Sequence, residues 1–305
     1  MRFTVPTIFA NALATASQLK IPYEILPYTT MNEAINDPII VPFQPAVITA
    51  GMEICDDYDP DVDIKNFASD FFCIGNGGHA VVSGPVGGIP LVNAIAHRST
   101  DAGLYHMIPF AIRPVTNDFT ALERARYCLR KIIDIGGTLY AVYYGRFIDL
   151  SGASPDMTLV TSVNGNDIVT SFVPTVNNLR PTPPTAGSQP QGNFANVATT
   201  TTITLTALET TALKEACLLL YGDENYAIVS EIVLCHGVRK PVVSRYPTSG
   251  TQTPAAVAPN TFYDVVAAQA ACHYVTFYPV AYTNQGFVLT LDLAASEPLY
   301  GIENV

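Results

Sequence analysis

Charge is what this sequence has least of. Asp, Glu, Lys and Arg make up 13% of its 305 residues, about half of the roughly 25% usual in soluble domains. The shortfall points to a surface covered by partner chains, because obligate interfaces are poor in charge and rich in aromatic groups. Basic residues are scarcer still: 15 Lys and Arg stand against 26 Asp and Glu, for a net charge of −11. A chain this acidic repels phosphate backbones, which argues against nucleic-acid binding through a general electrostatic patch. Arg2 and Lys20 are the sole basic residues among the first 60, so a basic arm that could condense a single-stranded genome is excluded. No run of 18 uninterrupted apolar residues occurs, and no helical membrane span is expected. Trp is absent. The phosphate-loop motif ending in Gly-Lys-Ser/Thr and the G-x-S-x-G nucleophile elbow are missing too, which removes the simplest routes to nucleotide and acyl chemistry.

What remains is 49% hydrophobic, with 23 Pro, 16 Tyr and 14 Phe, enough for one large core or two ordinary domains. Arg2, the apolar stretch Phe3 to Ala10 and Ala12-Leu13-Ala14 together look superficially like a signal peptide, but Pro6 and Asn11 interrupt it. Thr7 to Leu19 is expected instead as an amphipathic arm or helix. Residues 1–19 would then be an N-terminal arm that ties the chain to a neighbouring subunit. This reading implies a cytosolic chain, whose Cys55, Cys73, Cys128, Cys217, Cys235 and Cys272 are reduced and buried rather than bridged.

The patterning is of the α+β type. A helix is predicted from Thr120, where Thr120 and Glu123 have capping-box spacing and apolar residues recur at Leu122, Ala125, Leu129, Ile132 and Ile133 up to Gly136-Gly137. Thr206-Ala207-Leu208-Glu209 repeats Thr120-Ala121-Leu122-Glu123, Gly222 comes at the same distance as Gly136, and Tyr226-Ala227-Ile228 matches Tyr140-Ala141-Val142, 86 residues earlier. This suggests an internal duplication of a helix-strand unit. Strands are expected on both sides of the hairpin signal Asn164-Gly165 and from Gly286 to Leu293, and a third helix from Thr261 to about Tyr274 with Val265, Val266, Ala268 and Ala271 on its apolar face. Pro174 to Ala198 and Tyr246 to Asn260 read as long exposed loops. Residues 1–305 are taken as a single domain.

Four constellations could carry chemistry, and each has a plainer explanation. Gly75-Asn76-Gly77-Gly78-His79-Ala80 satisfies a relaxed dinucleotide fingerprint after the strand-like Phe71-Phe72-Cys73-Ile74, but Ser83-Gly84-Pro85 and Gly87-Gly88-Ile89-Pro90 forbid the helix that should come next. Asp56, Asp57, Asp59, Asp61 and Asp63 place five carboxylates within eight residues. They form either a solvated acidic loop or a calcium site shared between subunits. An EF-hand is excluded, since Val62 and Ala68 stand where Gly and Glu are required. Cys235-His236 and Cys272-His273 would make a four-ligand zinc site if they converged, yet adjacent residues of a strand point to opposite faces. Arg124, Arg126, Arg130 and Lys131 form a basic cluster on the helix predicted from Thr120, read as a solvated face. No catalytic, cofactor-binding or metal-ligating residue is assigned, and no cofactor is expected.

The segment His97-Arg98-Ser99-Thr100-Asp101-Ala102-Gly103-Leu104-Tyr105-His106-Met107-Ile108-Pro109-Phe110-Ala111-Ile112-Arg113 resembles coat proteins of totiviruses and related double-stranded RNA viruses. Pro114-Val115 and Arg124-Ala125-Arg126-Tyr127 extend the likeness to roughly residues 97–145. The resemblance implies a mixed, helix-rich shell-forming subunit without catalytic residues, with β-hairpins and long Pro-rich loops, tiling a thin icosahedral shell. A shell around stiff duplex RNA needs no basic interior, which fits the acidic composition. Coat proteins of that kind are usually much longer, so the chain would be a compact relative, a processed piece or one of two capsid polypeptides. The expected function is thus a structural capsid protein that self-assembles around a viral genome of double-stranded RNA, in the virion and the host cytoplasm. Its partners would be copies of itself and a second capsid polypeptide, with no membrane. Two alternatives stand beside it: a cytosolic enzyme using the Gly75–Gly88 loop with His79, and a non-viral shell or phage structural component.

Overall fold

Runs of β-branched and aromatic residues make β-ladders here even where their spacing also suits a helix. The computed structural model describes residues 2–26, 29–31, 52–54, 59–83, 90–150, 153–163, 166–176, 194–244, 260–281 and 286–298. In chain order the elements are β1 (Arg2–Pro6), α1 (Ile8–Leu19), β2 (Met52–Ile54), α2 (Pro60–Asp63), β3 (Phe67–Gly75), β4 (His79–Ser83), β5 (Pro90–Ala94), β6 (Met107–Ile108), β7 (Ala111–Pro114) and α3 (Ala121–Arg124). The chain continues through β8 (Tyr127–Ile135), β9 (Thr138–Phe147), β10 (Asp156–Val163), β11 (Asn166–Ser171), β12 (Phe194–Leu205), α4 (Ala207–Tyr221), β13 (Ile228–Ser244), β14 (Asn260–Ala281) and β15 (Phe287–Pro298). Among the described residues, fifteen strands face four α-helices, two of them four residues long. The fold is mostly β, and the expected helix-rich α+β subunit is overturned.

The chain folds into two compact units, Met1–Ile148 with Leu205–Phe287, and Asp149–Thr204 with Val288–Val305, where the sequence suggested one domain over 1–305. The first unit holds a nine-stranded sheet whose main path runs β1-β14-β13-β3-β9-β7, with β2 on β13, β6 on β3 and β8 on β9. Its spine is the antiparallel pairing of β13 and β14, interrupted by three register shifts. The core on this sheet gathers Phe71, Cys73, Val142, Tyr144, Val233, Cys235, Val265, Ala268 and Ala270. The second unit holds the sheet β11-β10-β12-β15, and its β10 and β11 pair across Asn164-Gly165 with Val163 opposite Asn166, as the hairpin signal predicts.

Two predicted helices are strands. The helix from Thr120 ends after one turn, and Tyr127–Ile135 pairs with β9 across Gly136-Gly137, both at positive φ (61° and 85°) as a tight hairpin turn requires. Leu122, Ala125, Leu129, Ile132 and Ile133 match a helical period, but six of the nine residues of β8 are buried, and a strand buried on both faces carries no period to separate it from a helix. Leu129 is skipped in the β8–β9 register and sits at φ 53°. Its N–H donates to Asp264 Oδ1 at 2.7 Å, so this left-handed residue is held by a side chain from β14 while the register on either side of it is unchanged. The third helix, Thr261 to Tyr274, lies within β14. The two Thr-Ala-Leu-Glu turns do recur as capping boxes, but one leads into a strand and the other into a long helix, so the helix-strand duplication does not extend past the first turn.

The Thr7–Leu19 helix is α1, capped by the Thr7 hydroxyl, which accepts from Ala10 N at 3.2 Å. The β1 strand before it pairs with β14 from Arg2 opposite Thr276 to Pro6 opposite Cys272, so the expected arm is joined to the chain's own sheet. Gly286 to Leu293 falls largely within β15. Of the Pro-rich loops, 177–193 and 245–259 lie outside the described residues, while Phe194 to Ala198 open β12. The five described cysteines are unpaired thiols, and Cys55 lies outside the described residues. No described helix is long and apolar enough to cross a membrane.

Because α4 is 15 residues long and carries the complete capping box, Thr206→Ala should lower stability in urea by about 1 kcal/mol. Thr120→Ala, which frees the end of a single turn, should lower it by no more than a few tenths of that. Equal losses at the two sites would show that the first turn matters as much as the second.

Candidate functional site

One buried acid organises the most polar part of the first unit. Glu231 stands in an otherwise apolar stretch of β13 (Ile228-Val229-Ser230-Glu231-Ile232-Val233) and is fully buried. Its Oε1 accepts the backbone N–H groups of Gly77 and His106, each at 3.0 Å. Its Oε2 accepts Tyr105 N–H at 3.1 Å and faces His97 Nε2 at 2.8 Å. A buried carboxylate would be strongly destabilising without such partners, and charge-assisted bonds of this kind are the strong ones.

The glycine-rich turn exists to let the backbone reach that carboxylate. A Cβ on Gly75 would sit 2.5 Å from Glu231 Oε1, and one on Gly77 2.6 Å from Tyr105 Cβ and 2.7 Å from His106 N. Gly78 N donates to Ser230 Oγ at 2.9 Å. The turn leads into strand β4, not a helix, so it offers no helix N-terminus to a pyrophosphate. Asn76 continues the lock, with Oδ1 2.5 Å from His106 Nδ1 and Nδ2 donating to Tyr226 O at 2.8 Å.

Three rings stack beside Glu231. His97 lies between Tyr105, at 4.2 Å between centroids, and His273 of β14, at 4.0 Å. His97 Nδ1 faces Asp101 Oδ2 at 3.3 Å, and His273 Nε2 donates to Asp101 O at 3.0 Å. Burial alone would raise the Asp101 carboxyl, but the hydrogen bonds from Arg98 N and the Arg98 side chain hold it below its ordinary value. Burial pushes His273 down to about 4. Its Nδ1 has no hydrogen-bond partner, so a proton there would have no acceptor. His236 behaves alike: burial lowers it to about 4, Nδ1 is bonded to Ser69 Oγ, and Nε2 has no partner.

The two Cys-His pairs lie on neighbouring strands without converging. Cys235 is wholly buried, where burial and the neighbouring Cys73 hold its thiol well above the ordinary range, so it is no ready nucleophile. His236 turns to Ser69 and His273 to the Glu231 cluster. In the acidic run, Asp59 caps α2 by accepting from Asp61 N at 3.0 Å, and Asp63, buried, pairs with Lys240 at 2.7 Å. Asp56 and Asp57 lie outside the described residues. No group of three or more metal-ligating side chains occurs among the described residues.

The basic cluster is not a helix face. Arg124 ends the single turn α3 and is buried, as is Lys131 on β8. Arg130 forms a pair with Asp118 at 2.7 Å, and Tyr143 donates to the same carboxylate at 2.6 Å. Arg126 alone of the four is exposed.

A second feature lies where the two Thr-Ala-Leu-Glu turns meet. A pocket of about 250 Å³ is lined by Phe119, Tyr127, Ala212 and Arg113, and both capping turns contribute Leu and Glu to it: Leu122 and Glu123 from one, Leu208 and Glu209 from the other. Glu209 caps α4 and pairs with Arg146 at 3.0 Å.

The model of a family of unknown function (DUF7208) matches residues 52–305. The chain belongs to this family. No curated protein and no solved structure matches it. The matched span contains Glu231, the stacked rings and the pocket.

Sequence reasoning singles out Gly75–Ala80 and His97–Arg113 for unrelated reasons and misses Glu231, which joins them. The available signal is a lone acid inside a β-branched run.

Two outcomes are expected. Glu231→Gln turns one acceptor into a donor facing buried donors, and should lower stability by about 3 kcal/mol or more, measured by urea unfolding at pH 7.5. For the histidines, the folded values near 4 lie below the unfolded value of about 6.5, so the unfolded chain takes up protons first. Their contribution is whole above pH 6.5 and is lost as the pH falls towards 4. With His97, Asp101 and Glu231 facing His273, the His236→Asn/His273→Gln variant should show a shallower fall in urea midpoint across that window than the parent. An unchanged slope would mean that these rings are not held neutral by the fold.

Proposed function

We propose that the chain is a structural subunit that self-associates into a closed shell of the viral coat kind. The observation that carries this reading is β11. Among the described residues it is an edge strand of its sheet, and all six of its residues, Asn166 to Ser171, are exposed. Ile168 and Val169 are 53% and 60% exposed, and as neighbours in a strand they point to opposite faces. Proteins that stay monomeric blunt such edges with Lys, Pro or a bulge, whereas this one carries a single charge, Asp167. An unpaired backbone edge flanked by apolar side chains is a surface that another chain covers by strand addition.

Composition supports the same reading, since 13% charged residues suit a chain whose surface is largely interface. The viral character rests on the resemblance of His97–Arg113 to double-stranded RNA virus coat proteins. Closed symmetric shells arise by repeating a few such contacts. An acidic wall suits a duplex genome that is enclosed without being gripped.

Sedimentation velocity and negative-stain imaging of the purified chain should show discrete closed assemblies at micromolar concentration. Val169→Lys, which charges the strand edge at a side chain 60% exposed, should leave the fold intact and reduce the assembled fraction at least severalfold. A protein that sediments as a monomer at every concentration would overturn the reading.

A further inference from the structure

Deepening the shell reading, and resting on it, we propose that the pocket between the two Thr-Ala-Leu-Glu turns is where two copies of this chain pair about a two-fold axis. Leu122 and Leu208 are 80% and 74% exposed, the two highest values among the exposed large hydrophobic side chains of the described residues. They lie 86 residues apart in sequence, yet both rim the same pocket. Each occupies the second position of a helix whose first turn is closed by a capping box. The same four-residue motif is thus used twice to hold a leucine out into solvent on one rigid turn.

The pocket suits what the rim offers. Its floor is apolar, with Phe119 and Tyr127 stacked at 5.2 Å and 7° between planes and only 7% and 5% exposed. Its volume of about 250 Å³ exceeds the roughly 150 Å³ of an apolar cavity that holds benzene, so a leucine side chain fits. A surface that carries both projecting leucines and a cavity for them is self-complementary, which is the requirement of an isologous two-fold contact.

Charge on the rim selects the same occupant. Glu123 and Arg126 are both exposed, and neither side chain is in an ion pair among the described residues. With Arg113 and Glu209 the lining carries two bases and two acids. A partner of one sign would meet a like charge at half of them. A second copy rotated by 180° presents Arg126 to Glu123 and Glu123 to Arg126, which pairs both.

The experiment is sedimentation equilibrium of the full chain, with circular dichroism confirming the fold of every variant. Leu122→Asp/Leu208→Asp should raise the dissociation constant of the two-fold contact at least about a hundredfold, as loss of central apolar anchors does. Arg126→Glu, which leaves both capping boxes intact, should weaken it at least about tenfold. A dissociation constant unmoved by the leucine pair or by Arg126→Glu, in variants that keep the fold, would overturn this contact and leave the shell reading standing. A monomeric parent would overturn both.

Discussion

Glu231 is the constraint on which the rest of the first unit depends. A carboxylate at zero exposure is tolerated in a protein interior only when donors replace its water, and here they come from two segments far from it in sequence: the turn at Gly77, and the 97–106 segment with its His97 ring and Tyr105-His106 backbone. The ladder of β13 with β3 and β14 supplies the platform, and the acid supplies the reason for the 75–78 turn and the 97–106 segment to close over it in one arrangement. The histidine stack is a consequence, because His97, once directed at Glu231, lies against Tyr105 on one face and His273 on the other.

Asp118 and Asp264 repeat the same physics at smaller scale. Asp118 accepts from Arg130 and Tyr143, and Asp264 accepts the N–H of Leu129. In each case a carboxylate takes donors from residues distant in the chain and holds those segments together. Several of the chain's few charges are thereby placed inside, among them Asp118, Arg124, Lys131 and Glu231, on work that backbone pairing alone does not do. The proposed contacts with other copies use apolar parts of the surface instead: Leu122 and Leu208 beside one pocket, and Ile168 and Val169 on a strand edge.

Legibility in the sequence tracks the range of the interaction responsible. The α4 helix is legible because its capping box and terminal Gly222 are local signals, and the β10–β11 hairpin because Asn164-Gly165 is another. Residues 127–135 and 261–274 are misread because their spacing of apolar residues is compatible with either period, and the choice between them is made by β9 and β13, partners whose pairing leaves no local mark. The repeated Thr-Ala-Leu-Glu motif is visible, but it signifies two exposed turns converging on one pocket and not a duplicated helix-strand unit.

From its sequence alone this chain is determined to be acidic, charge-poor, and punctuated by capping boxes and glycine turns, since composition and nearest-neighbour geometry are properties of the chain itself. Tertiary structure alone decided that the fold is mostly β, that the Gly75–Gly78 turn serves a buried carboxylate instead of a phosphate, and that Arg124, Arg130 and Lys131 face inward. Each of these outcomes turns on desolvation. Whether a strand is buried on both faces, or a charge is sheltered with its partners, depends on which distant segments exclude water from it.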